Sequence, residues 1–246
     1  MRLKVMASAI LATLLIVGAS YAPTESSFAA LGVVVVLLAG LALGWGSLLG
    51  FPGKAALGVV LLIAGAGASA LAIGTGSGPT MDWLAPCVAA GVLLAFLAQL
   101  LRGTGGAMRL EGTAIGATGV LIAVLGSGWV ALDGLGHSTP VVVVAGISMV
   151  GAGLIGAIRW PDRIVAPLGW IVAVLLGGVS SVLFADVDLV PALVLGAVTG
   201  AVIVAFRAIL VSEGGPADNR GAIAAGIVPV LVCGAMAWFV ETLLVS

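Results

Sequence analysis

Apolar residues come in nine long runs along this chain, at 5–21, 28–50, 55–74, 83–101, 112–132, 140–158, 164–184, 189–211 and 222–244. A helix that crosses a bilayer needs about 20 mainly apolar residues. Each run therefore predicts one membrane span. The breaks between runs are short and polar: "APTESS", "FPGK", "TGSGPTMD", "RGTGGAMRLE", "DGLGHST", "RWPDR", "ADVD" and "SEGGPADNRG". Their glycine, proline, aspartate and serine favour turns and helix ends. The pattern predicts an all-α polytopic membrane protein of nine transmembrane helices.

Charge placement then orients the chain. Arg2 and Lys4 precede the first run, and Lys54 falls between the second and third. Arg102 and Arg109 fall between the fourth and fifth, Arg159 and Arg163 between the sixth and seventh, with Arg207 and Arg220 around the eighth loop. With nine spans and the N-terminus inside, all nine basic residues share the cytoplasmic side. Glu25, Asp82, Asp133, His137, Asp186, Asp188 and Glu241 fall on the other. The excess of Lys and Arg on inner loops predicts a multi-pass protein of the cytoplasmic membrane, N-terminus in and C-terminus out. The first 22 residues resemble a signal peptide, but Pro23 directly after the small residues argues for an uncleaved first helix.

Composition removes several classes of function. Of the 246 residues 62% are hydrophobic and 8% charged, against about 45–50% and about 25% in soluble domains. No basic cluster exists to neutralise a nucleic-acid backbone. Cys87 and Cys233 both lie in apolar runs, where thiols pack as small hydrophobic groups.

A duplication is visible in the order of short matches. "VVVV" at 33–36 answers "VVVV" at 141–144, Phe51-Pro52 answers Trp160-Pro161, and "AFLAQLL" at 95–101 answers "AFRAILV" at 205–211. Trp129 with Asp133 likewise answers Trp238 with Glu241. Nearly constant spacing marks repeated units. The expected organisation is residues 1–27 as an N-terminal transmembrane helix and outer loop, 28–138 as one four-helix repeat and 139–246 as a second. An even number of helices per unit makes the repeats parallel.

The motifs that suggest chemistry have simpler explanations. "GAGLIG" at 151–156 has the form G-x-G-x-x-G, but it lies inside an apolar span rather than between a strand and a helix. Small residues there let helices approach closely. His137 with Asp133, and Asp186 or Asp188, lack the ligand spacing of a metal site. "LLRGTGGAMRLEGTAIG" at 100–116 is rich in glycine and arginine, yet its counterpart at 210–226 keeps the glycine pair and not the arginines. That argues for an inner hinge rather than a phosphate cradle. No catalytic motif, cofactor site or metal site is expected.

The sequence leaves a membrane protein that carries a small or amphipathic, lipid-like molecule in the manner of a permease. The alternative is a non-catalytic, non-transporting subunit that packs laterally against partner membrane proteins. Arg102, Arg109 and Arg220 are the candidate cytoplasmic contacts for lipid headgroups or partners. Thr118, Ser148, Trp170 and Thr199 are the candidate cavity-lining residues. The expected partners are the lipid bilayer and a second copy or another membrane protein, with no nucleic acid.

Overall fold

The computed structural model describes residues 2–22, 28–51, 54–74, 81–101, 109–136, 138–158, 160–184 and 187–245. Most of those residues are helical, with no strand among them. The helices are α1 (Arg2–Ser20), α2 (Phe28–Leu48), α3 (Lys54–Gly74), α4 (Leu84–Leu101), α5 (Arg109–Leu125), α6 (Ser127–Asp133), α7 (Thr139–Gly156), α8 (Asp162–Phe184), α9 (Leu189–Ser212) and α10 (Asn219–Val240). A π-helical turn, Glu241–Val245, extends α10.

Among the described residues, nine helical stretches are long and apolar enough to cross a membrane, as the sequence predicts. Two of them are not simple rods. The fifth, Arg109–Asp133, divides into α5 and α6 at Gly126-Ser127. Glycine-serine pairs are a usual cause of such breaks. Here the Ser127 hydroxyl donates to the Val124 carbonyl at 2.7 Å, competing with the helical ladder. The last stretch, Asn219–Val245, ends in the π-helical turn, which buries Glu241. The sequence put Glu241 at the outer end of its span; the structure adds that the carboxylate side chain is only 3% exposed.

α10 is the centre of the bundle. Nearly every residue from Gly221 to Val240 is buried, and α10 packs on α1, α2, α5, α6 and α9. A helix that is apolar on all sides is stable only when neighbours or lipid cover all of it. Glycine permits these approaches where backbones meet. A Cβ on Gly226 would strike Ser8 and the Val5 carbonyl of α1, and one on Gly128 of α6 would strike the Gly234–Ala235 backbone of α10. α4 is the opposite case, burying only Gly91, Ala95 and Gln99 and leaving Leu93, Phe96 and Leu97 outward.

The two proposed repeats do not pack alike. α3 packs on α2, α4, α5 and α6, whereas its counterpart α8 packs on α7 and α9 and forms no substantial interface with α10. α7 and α9 share a broad interface, but their counterparts α2 and α4 do not. α1 joins the two sets by packing on α10, α7 and α2.

The tryptophans differ widely in burial. Trp129 is 2% exposed, and its indole N–H donates to the Val230 carbonyl at 2.8 Å. Trp83 and Trp238 are also buried in protein, while Trp160 is exposed in the turn between α7 and α8. Position along the sequence marks membrane depth, but burial depends on the face that neighbouring helices cover.

Candidate functional site

Four helices form a closed ring in contact order α1, α10, α9, α7 and back to α1. They enclose a cavity of about 410 Å³ at one end of the bundle. Small-molecule sites typically range over about 300–1,000 Å³. The walls come from the N-terminal halves of α1 and α10 and the C-terminal halves of α7 and α9. Successive spans alternate in direction, so these four ends lie on the same side of the bundle.

Local sequence explains why the ring is hollow. Gly153 lines the cavity, and a Cβ built on it meets nothing within 4 Å. Its neighbours in "GAGLIG" have other roles. Gly151 gives room to Leu176 of α8, and a Cβ on Gly156 would come within 3.0 Å of the Arg207 side chain. Pro229 and Ala225 of α10 form part of the floor with Thr13, Met149 and Ile203. Proline has no N–H, so the Ala225 carbonyl one turn earlier lacks its usual donor four residues on. The floor is therefore apolar with a backbone acceptor nearby.

The mouth has different chemistry. Among the described lining residues, Arg207 is the one charged side chain. Its Nε donates to the Gly156 carbonyl at 2.9 Å, which ties the end of α9 to the end of α7 and fixes the guanidinium plane. The aliphatic stem covers apolar wall while the charged head reaches the end of the span. Beyond it, α9 stops at Gly214 and Gly215, with φ of 79° and 80°. Glycine is the residue that takes this left-handed conformation without a Cβ penalty. The turn brings Gly214, Gly215 and the buried Pro216 over the cavity mouth.

The α1–α10 side is fastened by polar contacts. Lys4 donates to the Asn219 side chain at 2.7 Å, and the Ser8 hydroxyl approaches the Ala222 carbonyl at 3.3 Å. The Asp218 side chain caps α10 by accepting from the Gly221 N–H at 2.7 Å.

The residues singled out from sequence lie elsewhere. Arg102 is outside the described residues. Arg109 is exposed at the start of α5, and Arg220 is exposed at the start of α10, with its carbonyl against Gly44 of α2. Thr118 is exposed and donates to its own helix at Ala114, 2.9 Å away. Thr199 is fully buried and donates to Leu195 at 2.7 Å. Trp170 is on α8, 43% exposed, with its N–H on the Ala197 carbonyl at 2.9 Å. Ser148 is buried beside Gly177 of α8, although the next residue, Met149, lies in the cavity floor. None of these six residues lines the cavity.

Sequence reasoning treated Arg207 as an ordinary residue at a helix end and did not select Thr13 or Gly153. One signal was available for Arg207, since it lies five residues inside the end of its helix and not in a loop. No such signal exists for Gly153, one glycine among 38. His137 and Asp186, considered above as metal ligands, are outside the described residues. Among the rest, no group of three or more His, Cys, Asp and Glu side chains converges. In comparisons with known proteins, no family model, no curated protein and no solved structure matches the chain.

Proposed function

We propose that this integral membrane protein is a permease-like carrier of the cytoplasmic membrane that takes an amphipathic molecule into the four-helix cavity. The observation that carries this reading is the cavity itself: apolar walls, about 410 Å³ of space, and, among the described lining residues, one guanidinium at its mouth. Apolar sites with a few placed polar groups are the usual form of small-molecule pockets.

The orientation follows from charge. Arg2, Lys4, Lys54, Arg109, Arg163 and Arg220 all stand at the starts of odd-numbered spans, and Arg207 stands near the end of the eighth. The positive-inside rule makes that end cytoplasmic, so the cavity opens inward and the C-terminus lies outside. The duplication of 28–138 and 139–246 rests on the ordered sequence matches. The two halves pack differently, so the packing adds no support to the duplication.

Flux measured with purified protein in sealed vesicles tests the carrier. Single-chain amphiphiles are expected to move faster than in protein-free vesicles. No acceleration with any of them, together with a stoichiometric membrane partner on gentle purification, would overturn the carrier in favour of a lateral subunit.

A further inference from the structure

The chemical class of the ligand follows from how the cavity distributes charge and width, and the inference rests on the carrier reading above. We propose that the cavity binds a single-chain amphiphile with an anionic terminus, its oxyanion at Arg207 and its chain running inward along α1.

Arg207 sets the headgroup. A guanidinium keeps its positive charge at any ordinary pH and carries five N–H donors, one of them given to Gly156, which suits it to the oxygens of a carboxylate or a phosphate. The bond from Nε to the Gly156 carbonyl holds that plane, so little side-chain freedom is lost when an anion arrives. The partly buried setting lowers the local dielectric, which strengthens attraction between opposite charges. A neutral headgroup gains none of this.

The walls set the chain. Val5, Met6, Ile10, Met149, Ile203 and Phe206 line the space below Arg207. The two methionines are unbranched and polarisable, which suits an aliphatic chain whose exact path varies. From Val5 to Thr13 the cavity follows α1 for about 12 Å, at the helical rise of about 1.5 Å per residue. A volume of about 410 Å³ lies within the range of about 300–1,000 Å³ usual for small-molecule sites and gives room for an aliphatic chain.

Gly153 provides a clean means of testing occupancy. Since a Cβ there meets no atom within 4 Å, a larger side chain at this lining position starts without a backbone clash. Arg207 is less clean, because its removal also breaks the α7–α9 tie. The two variants are therefore used together, with Arg207→Lys retaining charge and losing the fork.

The experiment measures equilibrium binding to the full chain in phosphatidylcholine nanodiscs. The probes are palmitate, palmitoyl lysophosphatidate, palmitoyl lysophosphatidylcholine and monopalmitoylglycerol. Both anionic probes are expected to bind one per chain, at least tenfold tighter than monopalmitoylglycerol, with the zwitterionic probe between. Arg207→Gln should weaken the anions about tenfold and leave monopalmitoylglycerol unchanged, with Arg207→Lys intermediate. Gly153→Phe should abolish saturable binding of every probe while the thermal midpoint stays near that of the parent. The ratio of palmitate to lysophosphatidate then separates a carboxylate from a phosphate as the preferred oxyanion.

Equal binding of neutral and anionic probes, insensitive to Arg207→Gln but lost in Gly153→Phe, would overturn the anionic class and leave the carrier standing. Binding unaffected by Gly153→Phe, or no saturable binding of any probe, would overturn the cavity as the site and the carrier reading with it.

Discussion

At the scale of single residues, the glycines of this chain are not interchangeable. Gly226 and Gly153 are both helical, and both touch the cavity, yet their surroundings are opposite. A Cβ on Gly226 collides with α1 backbone and Ser8, which cannot give way as the end of a long side chain would. Overfilling a packed interface costs about 1–3 kcal/mol, and backbone contact puts Gly226→Ala at the upper end of that range. Gly153→Ala meets open space and gains up to about 1 kcal/mol in helix propensity. Thermal unfolding in detergent should show a clear fall for Gly226→Ala and no fall for Gly153→Ala. Equal shifts would contradict the close α1–α10 crossing. In the sequence the two positions look alike, because a glycine between apolar residues carries no mark of what faces it.

The same limit applied to the hydroxyls. Thr118, Ser148 and Thr199 were reasonable choices as polar groups in apolar runs. Thr118 and Thr199 bond back to their own helices, as such hydroxyls commonly do. Which face of a helix meets a cavity depends on its rotation against neighbours, and these spans are apolar all round. Their periodicity leaves that rotation undetermined.

At the scale of elements, helix ends were more legible than helix faces. "SEGGPADNRG" reads as a break between spans, and the structure adds that Asp218 caps α10 by accepting from the Gly221 N–H. Removing such a cap costs about 0.5–2 kcal/mol. Asp218→Ala is expected to lower the unfolding temperature, with Asp218→Asn restoring most of it. Because α10 is the central helix, fraying at its start should also loosen the Lys4–Asn219 contact with α1. An unchanged midpoint in Asp218→Ala would show that tertiary contacts alone hold that end. The break at Gly126-Ser127 was less visible, since glycine and serine recur throughout the spans without interrupting them.

At the scale of the whole molecule, the nine candidate spans among the described residues predict termini on opposite sides of the membrane. A fluorescent protein fused to the N-terminus should be bright, and a phosphatase fused to the C-terminus should be active outside. Gly153→Cys, in a chain with Cys87→Ala and Cys233→Ala, should react with a membrane-impermeant maleimide in inside-out vesicles and not in intact cells. Labelling from the outside only would reverse the orientation and the direction in which the cavity opens.

By itself the sequence determined the class of protein, the nine long apolar helical stretches found among the described residues and their approximate ends, and that the charges fall at those ends. Each of these follows from transfer energies that act on a segment independently of its neighbours: a run is apolar enough to enter lipid, or a charge is kept out of it. Only the tertiary structure decided that α10 is the hub, that α1 closes a ring with α7, α9 and α10, and that the ring leaves a cavity under Arg207. Lipid and protein are equally apolar to these helices, so hydropathy cannot tell a face that meets a bilayer from one that meets another helix. That choice is made by shape, through glycines that allow contact in one place and leave space in another.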